Sequence, residues 1–582
     1  MLRRRQRGST LLVAALCLGI AMAALGAIDV GNVYFMRRDL QRTADLAAAA
    51  GAQTIDSTSS TTGDCSAAAA SAQQNAQTGN GLSTSASIAV VCGRWDPSVN
   101  AGQSYFSTTG SPMNAVQVTV QQTVPYFFVG PARVIQATAT AQATNIRSFS
   151  ITTAVASLSG GLLNGLLNGL LGGNLNLSVA SYQGLASAQI KLGDLATALG
   201  VSSMSQLLNT QVTVAQLVSA MATAVTLSTT ASATVVSDLG TIAATIPGGQ
   251  QIALGNTSAT NGVLAVALGD PQAAATATVG VLDTLLVAAE IANGQSAINL
   301  GTALNLGALA TVTAKAKVIE PPVIAVGEAG QNADGTWRTS AHSAQVRLYL
   351  NIQLANLNLV LLQLSALNLP ISLEVGPGTA TLQSTQCTTS QATSQSVIVA
   401  QAGIASACIG GDAASNLTNI TTPATCNQPV PVTSVSLPLL GVTLAVAVGN
   451  PNTTPTPGGL SVNLAAADPA TMTFSGVPDA SDAYQSTNTN ALGSATTGVL
   501  TQLVTQLPTS VYATLNGVPL VSGSTNANAV SGLLGALVSL LSPVLNSLDA
   551  LLVPLLQLLG VQIGVATVHD LGLACGQAQL VY

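Results

Sequence analysis

The sequence predicts an α+β chain: an N-terminal transmembrane helix extended into a helix-plus-sheet domain, then a helix-rich region and antiparallel β domains. Three observations carry this. Residues 9–28 form an uncharged, almost wholly apolar run. Residues 148–310 are dominated by alanine, leucine and glycine. From Lys315 onward, apolar and polar residues alternate over long stretches, the period of a half-buried strand.

The first run sets the location. Its anchor residues are Ser9, Leu11, Leu12, Val13, Leu16, Leu18, Ile20, Leu25 and Ile28. Twenty helical residues reach about 30 Å, the thickness of a bilayer core. Arg3, Arg4, Arg5 and Arg7 precede the run, which favours a cytoplasmic N-terminus and an exported remainder. A signal-peptide reading stands beside it, with an apolar core at 11–20 and cleavage after Ala21-Met22-Ala23. Against it, the apolar run continues past Ala23 to Ile28 with no turn residue. The helix is expected to continue beyond the membrane. Asp29 to Gln53 contains no proline, and Val30, Val33, Tyr34, Leu40, Leu46 and the alanines form an apolar stripe.

Composition excludes several function classes. Of 582 residues, 48% are apolar but only 6% charged and 3% aromatic, against roughly 25% charge in an ordinary globular domain. A net charge of −6 gives no electrostatic footprint for nucleic acid. There is no Gly-rich phosphate loop, no Gly-x-Ser-x-Gly elbow and no His-Glu-x-x-His. No catalytic residue, cofactor, metal or small-molecule substrate is therefore expected, and the chain does not read as an enzyme. His342 reads as a solvated strand-edge residue, and His569-Asp570 has no support as a dyad. Asp479 and Asp482 lack the ligand spacing of a calcium loop.

One stretch carries a recognisable pattern. Arg5-Gln6-Arg7-Gly8-Ser9 and the apolar span are followed by Ile28-Asp29-Val30-Gly31-Asn32-Val33-Tyr34. Then come Arg37-Arg38-Asp39-Leu40-Gln41 and Thr43-Ala44-Asp45-Leu46-Ala47-Ala48-Ala49-Ala50-Gly51-Ala52. This resembles the N-terminus of the TadG-like proteins of the Flp (tight-adherence) pilus-assembly system. A looser likeness continues through Cys92-Gly93-Arg94-Trp95-Asp96, Asn114-Ala115-Val116-Gln117-Val118 and Ala137-Thr138-Ala139. The motif residues are Asp29, Val30, Gly31, Tyr34, Arg37, Arg38, Leu40, Gln41, Ala44 and Asp45. The resemblance implies a single-pass bacterial inner-membrane protein with a periplasmic bulk, whose partners are the lipid bilayer and other pilus-assembly proteins. An adhesin or surface-layer protein released after Ala23 is the alternative. Prepilin-type cleavage after Gly8 fits less well, because Val13 stands where prepilins carry Glu. Some family members carry a metal-binding Asp-x-Ser-x-Ser motif. Asp56-Ser57-Thr58-Ser59-Ser60 lacks the preceding apolar strand and reads as a polar loop.

The rest of the chain divides by texture. Residues 1–8 are a cytoplasmic basic segment and 9–28 the span. Residues 29–147 are a helix-plus-sheet region, pilin-like by analogy only. It has a short helix near 67–77 and strands around Ile88–Cys92, Val116–Val120 and Val134–Thr144. Residues 148–314 are helical. The period-four repeat Gly161-Leu162-Leu163-Asn164-Gly165-Leu166-Leu167-Asn168-Gly169-Leu170-Leu171 suits an amphipathic helix packed on its own domain. Helices are expected at 205–217, 214–227 and 279–292. Residues 315–449 are β-rich. One strand alternates through Val346, Leu348, Leu350, Ile352 and Leu354, with a turn or bulge near Asn356. The pattern resumes at Leu367, Leu369, Ile371, Leu373 and Val375, and again at Val442, Leu444, Val446 and Val448. Residues 450–582 are a linker, 450–459, plus a C-terminal α/β region. Its Leu-rich stretch, 532–559, is broken by Pro543, Asp549 and Pro554 and reads as two amphipathic helices.

Six cysteines, Cys65, Cys92, Cys387, Cys408, Cys426 and Cys575, lie in the exported part. An even number in an oxidising compartment favours disulfides. Cys65 with Cys92 is the natural pair within its region. The other four allow three connectivities, of which Cys387 with Cys408 and Cys426 with Cys575 is favoured. Cys17 lies in the span as a packing residue.

Overall fold

A computed structural model describes residues 7–487 and 565–581, apart from short stretches of which the longest are 56–64 and 152–159, and 506–519 in part. The α+β class is as expected. The Leu-rich stretch 532–559, Asp56–Ser60, Asp479 and most of the linker 450–459 lie outside the described residues.

The N-terminal unit is one long helix laid on one sheet. The helix runs unbroken from Arg7 to Ala52. Its second half crosses an antiparallel five-stranded sheet, in order Phe106–Ser107, Ser87–Trp95, Ala115–Val124, Arg133–Gln142, Gln579–Val581. Ala44, Ala47, Ala48 and Ala52 line the buried face against Val116, Val118, Val120, Ala137, Ala139 and Ala141. Small side chains at i, i+3 and i+4 let the helix backbone sit close to the sheet. At Gly51 a Cβ would lie 3.0 Å from the Ala68 carbonyl and 3.1 Å from Val116 Cγ1, so the closest point takes no side chain. The short helix Ser66–Gln74 covers the same core through Ala68 and Ala72, and a π-helical turn, Asn75–Gly79, extends it.

The central sheet is mixed and seven-stranded. Its order is Tyr484–Ser486, Thr567–Ala574, Ile146–Ile151, Ile324–Gly327, Gly262–Ala267, Gln251–Gly255, Gln211–Thr213. Every residue of Ile146–Ile151 is buried. Ile146 joins the main core, while Phe149 and Ile151 belong to a second one. Helices of residues 160–293 pack on this sheet. In Gly160–Leu171 the leucines at 163, 166, 167, 170 and 171 face the core. Asn164 and Asn168 hydrogen-bond both backbone groups of Leu177 and Leu175 respectively, pairing an extended segment to the helix flank. The Tyr182 hydroxyl donates to Asn164 Oδ1 at 2.8 Å. The repeat is thus an amphipathic helix within its own unit. Gly165 meets open space and Gly169 faces Ile298, so these two glycines make no helix–helix seam.

Two expected elements are corrected. The single helix at 205–217 is instead Met204–Leu208, a strand Gln211–Thr213, and Val214–Leu227. The reason is capping. Ser203 Oγ accepts from Gln206 N at 3.2 Å, and Thr213 with Gln216 forms a reciprocal capping box that starts a new helix. The turn or bulge expected near Asn356 is absent, because strand Gln345–Leu359 continues and pairs with Leu362–Val375. Register Leu348↔Leu373, Leu350↔Ile371 and Ile352↔Leu369 keeps the buried leucine and isoleucine faces together. These strands centre an antiparallel sheet that runs from Ile298–Asn299 to Leu460–Leu464.

The C-terminal segment is expected as a region of its own, yet its last strands join sheets that begin before residue 151. Thr567–Ala574 pairs with Ile146–Ile151, and Gln579–Val581 with Arg133–Gln142. Disulfide connectivity follows that return. Cys65–Cys92 is as expected, but the others are Cys387–Cys575 and Cys408–Cys426, overturning the favoured pairing. Cys408 lies on Ala405–Ile409, beside the segment carrying Cys426, while Cys575 follows the strand that returns to the central sheet.

The few charges are used sparingly inside. Arg147 pairs with Asp570, donates to the Ser475 carbonyl at 2.9 Å and stacks over Phe474. Asp283 accepts from Ser150 Oγ at 3.0 Å and lies 3.0 Å from His569 Nδ1, and Tyr484 stacks on the His569 ring. His569 and Asp570 therefore face different partners and form no dyad. Burial raises the Asp283 carboxyl, but His569 and Ser150 outweigh it and hold the group below its ordinary value. Glu290, on helix Val281–Asn293, is buried with no hydrogen-bond partner for Oε2, and burial pushes its carboxyl well above the usual range.

Two measurements test these features. Non-reducing peptide mapping will recover Cys387 linked to Cys575 and Cys408 linked to Cys426; a Cys387–Cys408 peptide would refute the topology. Replacing Cys387 and Cys575 by serine will lower stability by about 2–5 kcal/mol, the usual loss for a native bridge. The raised Glu290 group binds its proton more tightly folded than unfolded. Stability therefore falls as pH rises above about 4.3, the ordinary glutamate value. Denaturant melts in detergent will show that Glu290→Gln flattens this decline above about pH 4.3, whereas an unchanged slope would exclude Glu290 as its source.

Candidate functional site

The candidate site is the anchor helix and its junction with the first sheet. Among the described residues, this helix alone is long and apolar enough to cross a membrane. Leu11, Leu12, Val13, Leu16, Leu18, Ile20 and Ile28 are exposed, and Leu25 is half-covered. Ser9 lies in the helix, with its side chain outside the described residues. A free-standing apolar face over these positions fits burial in lipid, because none of the described residues covers it.

The junction is built on Asp29, the first charge after the span. Its carboxylate is 1% exposed. Oδ1 accepts from Phe127 N at 2.7 Å, and Oδ2 accepts from Phe128 N at 3.2 Å. The hairpin Ala115–Val124/Arg133–Gln142 thus presents the backbone of its tip to the helix where the apolar run ends. Charge-assisted bonds of this kind are about twice as strong as neutral ones.

Beyond Asp29 the motif residues divide between two faces. Leu40 and Ala44 are buried against the sheet, and Gln41 bridges Asp45 Oδ1 at 2.8 Å and the Thr138 carbonyl at 3.2 Å. Asp45 is thereby half-buried. Val30, Gly31, Tyr34, Arg37 and Arg38 point outward, as does Phe35. The exposed Arg42–Asp39 pair, at 2.8 Å, contributes little to stability. The pattern therefore holds one set of residues that builds the domain and another that is displayed.

Sequence reasoning missed two features here. Pro125-Tyr126-Phe127-Phe128 is an aromatic run in a chain with only 3% aromatics, and that scarcity was the available signal. The second is Arg94, read only as part of a loose likeness. It is buried, bonds Asp96 Oδ2 at 3.0 Å, Glu328 Oε2 at 2.7 Å and the Pro112 carbonyl at 3.2 Å, and so ties the first sheet to the central one. Burial lowers the Arg94 pKa, but Glu328 and Asp96 outweigh it and keep the guanidinium above its ordinary value. No signal in the sequence names Glu328, 234 residues away, as its partner. No cluster of three metal-ligating side chains occurs among the described residues.

Family models match parts of the chain. Residues 8–54 match the family described as putative Flp pilus-assembly TadE/G-like, and residues 50–144 that described as putative Tad-like Flp pilus-assembly. Residues 159–292 match a domain of unknown function, DUF8293. No curated protein and no solved structure matches the chain. The N-terminal region, residues 8–144, is thus similar to Tad-like Flp pilus-assembly regions, and the two matches meet where the long helix ends on the sheet.

Asp29→Ala will free the Phe127 and Phe128 amides, which hydrogen exchange will report as loss of protection at the tip. Stability will fall by about 1.5–3 kcal/mol, the range for hydrogen bonds to a charged group. Unchanged exchange at 127–128 would mean that Asp29 does not fix the tip.

Proposed function

We propose that the protein is a single-pass inner-membrane component of a Flp-type pilus system, with residues 1–8 cytoplasmic, 9–28 spanning and the remainder periplasmic. Its role is structural, in fibre assembly and surface attachment, and no chemistry is assigned to it. The carrying observation is the pilus-assembly family match over 8–144 on a domain whose apolar helix leaves its first half uncovered. Three disulfides accord with an oxidising compartment outside the cytoplasm. The outward motif residues Tyr34, Arg37 and Arg38 are the ones available to partner helices, whereas Leu40 and Ala44 are already occupied.

A deletion strain tests this reading. It will lose surface fibres and adhesion, and residues 1–53 alone will not restore them. Tyr34→Ala combined with Arg37→Ala and Arg38→Ala will leave protein levels unchanged but reduce fibre number. Normal fibres in the deletion strain would sink the assembly role. A mature chain beginning at Ala24 in the medium would favour the released adhesin instead.

A further inference from the structure

The hairpin tip beside Asp29 has a composition and a position that the fold alone does not require. Residues 125–132 join strands paired from Val124↔Arg133 and contain no charge. Phe127 is 64% exposed and Phe128 56%. Three of the six phenylalanines of the chain, Phe35, Phe127 and Phe128, are displayed around this junction, together with Tyr34. Exposed aromatics near one level of the helix in an aromatic-poor chain need an occupant. Gly130 has φ +119°, and a Cβ there would meet the Tyr126 ring at 3.2 Å, so the turn is shaped around its own aromatic side chain.

Position identifies the occupant. The apolar run from Leu11 to Ile28 spans about 27 Å of helix, close to the hydrocarbon thickness. Asp29 therefore stands at the hydrocarbon edge, and its hydrogen bonds hold Phe127 and Phe128 at that same level. Tyr34 and Phe35 follow about 8–9 Å further along the helix, within the headgroup zone where amphipathic aromatics collect. Residues 113–144 contain no carboxylate, and their one charge, the exposed Arg133, is a cation at the tip end of the strands, where the loop rejoins the hairpin. Nothing on the hairpin repels an anionic lipid surface.

We propose that the hairpin tip, through Phe127 and Phe128, inserts into the membrane interface beside the anchor helix. The protein then has two lipid contacts, a span and a wedge. Asp29 couples them, so the first sheet stands on the membrane at a fixed angle instead of swivelling on a single helix. The proposal rests on the anchor reading above.

The test uses the full chain in vesicles of mixed zwitterionic and anionic phospholipid, with and without bromine on the upper acyl chain. Phe127→Trp and Phe128→Trp are made separately, so that misfolding of one leaves the other informative. Ile404→Trp, at an exposed site on the body, is the control, and the wild-type protein supplies the background of Trp95 and Trp337. The expected result is loss of the added emission in brominated vesicles for both tip variants and none for the control. Unquenched tip tryptophans in a protein that resists an alkaline wash would overturn the wedge and leave the anchor intact. Emission that shifts with protein-to-lipid ratio but ignores bromine would show a second copy covering the tip, and would also overturn it. Release by the alkaline wash would defeat the anchor reading, and the wedge with it.

Discussion

The strand Ile146–Ile151 is the constraint on which the rest of the fold depends. It is buried along its whole length and bonded on both edges, to Thr567–Ala574 and to Ile324–Gly327. A fully buried guanidinium on it, Arg147, must be paired, since an unpaired buried ion costs several kcal/mol. Asp570 meets that need from the far end of the chain. Ser150, on the same strand, binds Asp283, which in turn meets His569. One strand thus fixes where the helical region and the C-terminus must lie.

A chain with so little charge gains specificity from where it spends it. Apolar packing is non-directional, and leucine- and alanine-rich elements could pair in many registers. Buried ion pairs admit few arrangements, because displacing one partner orphans the other. Arg94 with Glu328 and Arg147 with Asp570 each join segments that the hydrophobic pattern alone leaves free, while Arg347 with Glu374 pairs across the long hairpin itself. Arg347 also donates to the Asn416 and Asn419 carbonyls, closing the loop after the short helix Ala413–Thr418 onto the long hairpin. In this chain the polar contacts choose among packings that the apolar ones make stable.

At the membrane end, Asp29 has the same part on a smaller scale. A carboxylate is costly to bury, and this one is tolerated because two backbone amides point at it. The result is a rigid corner between a helix with an uncovered apolar half and a sheet with an aromatic tip. Past that corner, the helix shows an alanine face to the sheet and a Tyr34/Arg37/Arg38 face outward. Residues that build the domain and residues that face outward are thereby separated on one element.

The anchor helix, the strands at 87–95, 115–124 and 133–142, the long hairpin at 345–375 and the α+β class were legible, because local periodicity reports which face of an element is buried. The capping residues Ser203 and Thr213 are local sequence signals that divide the helix there. The inward and outward division of the family motif required the sheet, since helical spacing gives a stripe but not its partner. What only the tertiary structure decided were the long-range pairings: Cys387 with Cys575, Arg94 with Glu328, His569 with Asp283, and the return of 567–581 to strands formed before residue 151. A sequence pattern carries the period of an element, whereas these contacts depend on loop closure across hundreds of residues, which no local spacing encodes.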